Sequence, residues 1–240
     1  MITKDINKNI KVHTITNESL RLGILLALVG GFLESYTFIT RDGVFANAQT
    51  GNIVLVGVGL SMKNWNYAIL HLLPVIAFVL GVLTVEIIKS HDGIAKSKYT
   101  ERIIILVEII ILFVIGFIPL DFDDTVVTVT ISYVASLQIA SFRKLVNSPY
   151  STAMCTGNLR TATQTLYLAI KNKDTKGKTK ALRYFTIVFS FILGGCIGGI
   201  TTNYLGVKSI WCCEVFLILA FILFIMDEYR LKNGTMVLRM

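Results

Sequence analysis

Residues 44–54 read VFANAQTGNIV, and residues 150–160 read YSTAMCTGNLR. The tripeptide TGN thus occurs twice, at an offset of 106 residues, and each copy interrupts sequence that is otherwise apolar. A polar threonine and asparagine at such a position need a structural or functional reason. Whether the two TGN segments cross a membrane or only enter it decides which fold the sequence predicts.

The composition is that of a membrane protein. Of the 240 residues, 54% are hydrophobic and 16% are charged, and the mean hydropathy is +0.68. Soluble domains carry about a quarter charged residues. Several apolar windows approach the roughly 20 residues needed to cross a bilayer; they are residues 22–39, 68–88, 103–120, 186–200 and 209–226. The sequence predicts an all-α integral membrane protein whose surroundings are the lipid bilayer.

The polar segments of the chain are explained by membrane topology rather than by binding to other partners. Residues 1–19 lack an apolar core and predict a cytoplasmic lead-in, not a cleaved signal peptide. The net charge is +8, but the basic residues gather in the loops, which is typical of membrane topology and not of nucleic-acid binding. The four cysteines lack metal-ligand spacing, so neither a metal nor a cofactor is expected.

Further similarities at the same offset indicate an internal duplication. Ser35 aligns with Ser141, Glu108 with Glu214, and the aromatic Tyr36 with Phe142. The predicted repeats are residues 20–120 and 125–228, and residues 229–240 form a cytoplasmic tail. Weak internal symmetry of this kind is common in transporters and channels.

The positive-inside rule chooses between two topologies. Segments that cross would give four spans in each repeat and parallel repeats, whereas segments that enter and return would give three spans and inverted repeats. The second arrangement leaves only Arg41, Lys63 and Lys208 outside, with Arg160 in the membrane. We therefore expect six transmembrane helices plus two re-entrant TGN segments in two inverted 3+3 repeats. Both termini would be cytoplasmic, in a bacterial plasma (inner) membrane.

Two re-entrant half-helices would bring two amino ends to the membrane midplane, where their partial positive charge favours an anionic or strongly hydrogen-bonding solute. In each copy the threonine is a natural N-cap, the glycine permits close backbone approach, and the asparagine can satisfy backbone groups or meet the solute. These residues are Thr50, Gly51, Asn52, Thr156, Gly157 and Asn158. A competing interpretation is that small residues only allow helices to pack closely.

Charged side chains within the apolar segments are further candidates. Arg160 shares a helical face with Thr163, Gln164 and Tyr167, and an arginine at this depth must find a partner or water. Glu34 is the deepest carboxylate in the first span. It is either a proton-coupling group or the counter-ion of Arg160.

The chain resembles the YoaK-like family of bacterial membrane proteins. The resemblance is carried by GVF at residues 43–45 with the first TGN, and by Gln138, Phe142 and Arg143 ahead of the second. It covers nearly the whole chain and implies a multi-pass membrane protein without implying an activity. Gln138 and Asn47, which lie close to the motifs, complete the candidate substrate-binding residues.

The leading hypothesis is a transporter or channel for a small polar or anionic solute, with its site where the TGN elements meet. The alternative is a non-transporting membrane partner or assembly protein, favoured by the basic segment at residues 171–183. A membrane-embedded enzyme is less favoured, because H-E-x-x-H and G-x-S-x-G motifs do not occur. The sequence makes no prediction of the oligomeric state.

Overall fold

The computed structural model of the chain describes residues 18–91, 100–146 and 148–232. Eight α-helices lie in these ranges, and the predicted all-α fold is confirmed apart from one short β-ladder. The helices are α1 (Leu20–Thr40), α2 (Gln49–Ser61), α3 (Trp65–Ser90), α4 (Thr100–Ile115), α5 (Asp124–Ser141), α6 (Cys155–Lys171), α7 (Thr175–Leu205) and α8 (Ile210–Lys232). The ladder pairs β1 (Lys144–Leu145) with β2 (Ser148–Pro149) in antiparallel fashion. Most of the predicted lead-in and tail falls outside the described residues.

Among the described residues, three helical stretches are long and apolar enough to cross a membrane. They are Leu20–Thr40, Trp65–Ser90 and Thr175–Asp227. The last contains α7 and α8, joined by a 3₁₀ turn at Gly206–Ser209. Gly206 has a φ of +57°, which glycine adopts without a Cβ clash, and the chain reverses there. Many large apolar side chains are exposed on these helices, and together these features indicate a membrane protein.

Glycines bring α1 and α7 into close contact. Gly23 lies against Ile187 and Phe32 against Gly198, so the two helices run parallel. A Cβ atom at Gly31 would lie 1.9 Å from a backbone oxygen of α7. Small residues allow this approach, as is common where helices pack within membranes.

The pairing of α3 with α5 is also parallel. The hydroxyl groups of Thr84 and Tyr133 share a hydrogen bond of 3.1 Å, and Lys89 Nζ donates to the Ala140 carbonyl oxygen at 2.8 Å. Gly81 again permits the approach, since a Cβ atom there would lie 2.7 Å from the Tyr133 carbonyl oxygen.

The other two long helices, α4 and α8, run antiparallel. Trp211 Nε1 donates to the Phe113 carbonyl oxygen at 3.1 Å, and Arg102 Nη2 donates to that of Phe224 at 3.3 Å. The main apolar core lies between α1, α4, α5 and α8. We call the end of the bundle at which α1 begins and α8 finishes the terminal end. The opposite end, at which α1 finishes and α5 begins, is the distal end.

A buried arginine joins α1 to α5 at the distal end. Arg41, which follows α1, is 0% exposed. Its Nη1 donates to Asp124 Oδ1 at 2.8 Å and to the Pro119 carbonyl oxygen at 3.3 Å, while its Nη2 donates to the Ile118 carbonyl oxygen at 3.3 Å. The sequence predicts Arg41 only as an external loop residue. The structure gives it a packing role because the linker before α5 supplies two carbonyl groups and the first residue of α5 supplies an acid.

Candidate functional site

The first TGN segment starts its helix in the middle of the bundle. Residues 41–48 fold back along α1 from the distal end, and Asn47 Nδ2 donates to the carbonyl oxygen of Gly30 at 3.3 Å. From there α2 returns to the distal end, where Asn64 caps α3. Asn64 shares a surface depression with Thr125, close to the start of α5. The segment therefore enters and leaves the bundle at the same end.

The second TGN segment enters from the other side. A Cβ atom at Gly30 would lie 3.5 Å from the Thr152 carbonyl oxygen and 3.5 Å from Ala153 Cβ. From this point α6 runs to the terminal end, where Asp174 caps α7. Thus α2 and α6 both begin beside Gly30 and point to opposite ends of the bundle.

A carboxylate from α1 binds the backbone that leads into α2. Glu34 is 8% exposed, and its Oε1 accepts hydrogen bonds from the backbone N–H groups of Asn47 (2.8 Å) and Ala48 (2.6 Å). A carboxylate at the amino end of a helix is stabilised by the helix dipole and by the unpaired amides there. Glu34 and Asn47, both predicted as site residues, are therefore brought together by the start of α2.

The predicted N-caps are wrong. Ala48 and Met154 occupy the N-cap positions, and Thr50 and Thr156 follow within the first turn with exposed side chains. Local preference favours threonine at an N-cap. The two residues ahead of α2 are held instead by Glu34 of another helix, and this contact cannot be read from the local pattern.

The two TGN asparagines close their own loops. Asn52 Oδ1 accepts from the Phe45 N–H (3.1 Å) and its Nδ2 donates to the Phe45 carbonyl oxygen (2.8 Å). Asn158 forms the same pair of bonds with Ser151, at 3.3 Å and 2.6 Å. Both side chains are buried. The sequence predicts that these amides either satisfy backbone groups or meet the solute. In the structure they satisfy backbone groups.

The two TGN glycines have different surroundings. A Cβ atom at Gly51 would lie 2.7 Å from the Phe45 ring, so the ring packs directly on the glycine. At Gly157 no atom of the described chain lies within 4 Å of the same position. Close approach therefore explains the first glycine, and nothing in the structure explains the second.

Arg160 lies on the outer face of α6. It is exposed and borders an open depression of about 600 Å³ with Thr156, Leu159, Thr163 and Gln164. Within residues 18–91, 100–146 and 148–232 it has no acidic partner. The alternative in which Arg160 pairs with Glu34 is wrong, since the carboxylate of Glu34 binds backbone amides.

Gln138 belongs to a different part of the bundle. Its Nε2 donates to Glu108 Oε2 at 3.0 Å, and both side chains are buried between α4 and α5. Two further residues of the same motif also hold α5 in place. Phe142 packs against the Phe224 ring (6.3 Å between centroids), and Arg143 forms an ion pair with Glu86.

Sequence reasoning missed two hydroxyl groups near the helix starts. Ser132 Oγ donates to the Ala46 carbonyl oxygen at 2.9 Å and fixes the loop before α2. Thr152 is 1% exposed, and its Oγ1 has no hydrogen-bond partner among the described residues. Thr152 lies just before the second TGN along the chain, but Ser132 is 86 positions from Ala46, and no sequence signal linked the two.

Residues 22–223 match the model of a family described as "Protein of unknown function (DUF1275)". Searches of curated proteins and of solved structures give no match. The matched region contains both TGN segments, Glu34 and Arg160. It also covers most of the helices that hold them. The chain therefore belongs to the DUF1275 family.

Proposed function

We propose that this protein moves a small polar or anionic solute across a bacterial plasma membrane, as a transporter or a channel. The observation that carries the proposal is the meeting of α2 and α6 beside Gly30. Half-helices whose amino ends meet inside a membrane bundle are a recurring way to bind solutes in transporters. Irregular backbone at this depth is tolerated where it lines a cavity or is buried in protein.

Six helices would span the membrane in this proposal: α1, α3, α4, α5, α7 and α8. The half-helices α2 and α6 would be re-entrant, from the distal and the terminal end respectively. Basic residues crowd the terminal end, which by the positive-inside rule would face the cytoplasm. They include Lys89, Arg143, Lys144, Lys171, Lys173, Lys176 and Lys178.

Two inverted repeats, α1–α4 and α5–α8, are supported by the helix pairings. The contact of α1 with α7 corresponds to that of α5 with α3, and the contact of α2 with α3 corresponds to that of α6 with α7. The paired loops of Asn52 and Asn158 add a local correspondence. We retain the YoaK-like resemblance as part of this proposal.

The outer face of α6 would guide the solute towards the junction. Thr156, Arg160, Thr163 and Gln164 form a polar face beginning at the first turn of α6. The first turn of a helix attracts anions through its free amides and dipole. The segment that leads into α2 already holds the carboxylate of Glu34, so an anionic solute would bind on the α6 side.

The test is solute-dependent thermal stabilisation followed by flux into proteoliposomes. The purified protein is screened against small carboxylates, inorganic anions and neutral polar solutes. A ligand at 100 times its dissociation constant should stabilise the native state by about 2.7 kcal/mol. Arg160→Gln and Thr156→Val should lose the stabilisation, whereas Lys178→Gln, an exposed site at the start of α7, should keep it.

The proposal would be contradicted if no class of solute changed the melting temperature and none entered the proteoliposomes. The non-transporting partner role would then move ahead, because the polar face around Arg160 would need another occupant. If a solute stabilises the wild type and both α6 variants equally, the protein binds that solute, but at a site away from α6.

A further inference from the structure

Three buried residues around Gly30 each carry a side-chain oxygen atom with no hydrogen-bond partner among the described residues. These atoms are Glu34 Oε2, Asn47 Oδ1 and Thr152 Oγ1. The side chains that carry them are 8%, 5% and 1% exposed. A buried polar atom without a partner costs about 1–3 kcal/mol, so three in one region need an explanation.

All three residues lie in or contact the part of α1 around Gly30. Glu34 lies one helical turn after Gly30. Asn47 contacts both, since its side chain donates to the Gly30 carbonyl oxygen at 3.3 Å and its backbone donates to Glu34 at 2.8 Å. Thr152 packs its backbone against Gly30. One residue thus comes from α1, one from the segment before α2, and one from the segment before α6.

The carboxylate of Glu34 is only half satisfied. Its Oε1 takes both backbone N–H groups, and no lysine, arginine or histidine of the described chain forms an ion pair with it. Arg41 pairs with Asp124, and Arg160 is exposed on the outside of α6. A charged carboxylate that is buried without a compensating charge is strongly destabilising, so Oε2 requires either a proton or a cation.

Carboxylate, amide and hydroxyl oxygens are ligands for hard cations. The described residues contain no group of three or more His, Cys, Asp or Glu side chains suited to a metal. Glu34 is the only acid among the three residues, so they offer one negative charge, which matches a monovalent ion. We propose that Glu34, Asn47 and Thr152 form a binding site for a monovalent metal cation of the size of Na⁺.

This inference rests on the proposed function, in which the cation is the coupling ion for solute movement. The site joins α1 to the entries of both half-helices. A bound cation would fix the segments before α2 and α6 and add positive charge where an anionic solute would arrive. Cation and anion should therefore each strengthen the binding of the other.

The experiment measures the melting temperature of the full chain in detergent against NaCl, KCl and LiCl. Choline chloride keeps chloride and ionic strength constant, so that only the cation changes. We expect a saturable rise with one metal cation. Thr152→Val, which removes one ligand oxygen at nearly constant volume, should weaken the apparent affinity at least about tenfold. Glu34→Gln should abolish the response.

Thr179→Val is the matched control, because this threonine is exposed near the start of α7 and lies outside both the three-residue site and the polar face of α6. It should respond as the wild type does. Equal melting temperatures in all salts would overturn the cation site, and a pH-dependent stability lost in Glu34→Gln would then assign the positive species to a proton. If cations stabilise and no solute does, the cation site stands and the proposed function fails. If a solute stabilises the protein and no cation does, the proposed function stands and the cation site fails.

Discussion

Asn52 and Asn158 make the same pair of hydrogen bonds, each with the backbone of the residue seven positions earlier. Each asparagine side chain bonds both the N–H and the carbonyl group of that residue and so closes the loop at the start of α2 or α6. TGN is therefore first a folding element. Its recurrence marks the two places where the backbone must change direction within the bundle.

Replacing the amide of Asn158 by a carboxylate should destabilise the fold. Asn158→Asp keeps an acceptor for the Ser151 N–H but loses the donor that reaches the Ser151 carbonyl oxygen at 2.6 Å. We expect a loss of about 1–3 kcal/mol in the free energy of unfolding, measured as a lower melting temperature in detergent. Gln164→Glu, at an exposed amide on the same helix, is the control. An unchanged melting temperature in Asn158→Asp would show that the loop does not depend on this bond.

Removing the buried charge of Arg41 should be costly. Arg41→Met leaves Asp124 and two carbonyl groups without their donor, and breaking a buried pair typically costs 3–5 kcal/mol. Since Asp124 is partly exposed, we expect about 2–4 kcal/mol here. Lys63→Met, at an exposed residue of the same end, should have little effect. The free energy of unfolding of both variants is measured by chemical or thermal unfolding. Equal stability of the two would contradict the packing role of Arg41.

The contact of α1 with α7 should not tolerate a side chain at Gly31. Gly31→Ala would place a Cβ atom 1.9 Å from a backbone oxygen, so the helices must separate. Overpacking of this kind costs about 1–3 kcal/mol. Gly57→Ala is the matched change, because nothing described lies within 4 Å of its Cβ position, and alanine favours the helix. The expected order of melting temperatures is Gly57→Ala at or above wild type, and Gly31→Ala well below. Similar values for the two would contradict the close contact.

Neutralising Glu108 should not harm the fold. Glu108 is 1% exposed, and while Oε2 accepts from Gln138, Oε1 has no partner among the described residues. Glu108→Gln keeps an acceptor for Gln138 and removes the need to bury charge, so we expect equal or higher stability. Glu108→Ala leaves a cavity and leaves Gln138 without its acceptor, so the free energy of unfolding should fall by about 2–4 kcal/mol. A melting temperature of Glu108→Gln as low as that of Glu108→Ala would mean that the negative charge itself holds the region together.

The helices were predictable because long apolar windows depend on composition over many residues. The duplicated TGN also pointed to two special segments. The contacts made by these segments were not predictable in the same way. Threonine preference suggested local caps, whereas Ala48 occupies the N-cap position of α2 and the backbone there is held by Glu34 from another helix. Likewise, counting Arg41 as a loop charge ignored the acid and carbonyl groups that the fold brings to it.

The candidate site could be predicted only in part. Glu34 and Asn47 meet as a pair, but Arg160 and Gln138 lie on separate faces. Sequence distance explains the difference. The spacing of residues within one helix fixes which of them share a face, while the position of one helix against another depends on glycines and side-chain volumes spread over the whole chain.

The glycine-lined contact between α1 and α7 also bears on how the protein is made. Ser35 Oγ donates to the Gly195 carbonyl oxygen across this contact, although the two residues are 160 positions apart in the chain. At ribosomal speeds of about 5–20 residues per second, α1 leaves the ribosome on the order of ten seconds before its partner. During that interval the glycine face of α1 lacks α7, whereas Glu34 can already meet Asn47 and Ala48. The contact between α1 and α7 can therefore form only after Gly195 has been made, late in synthesis.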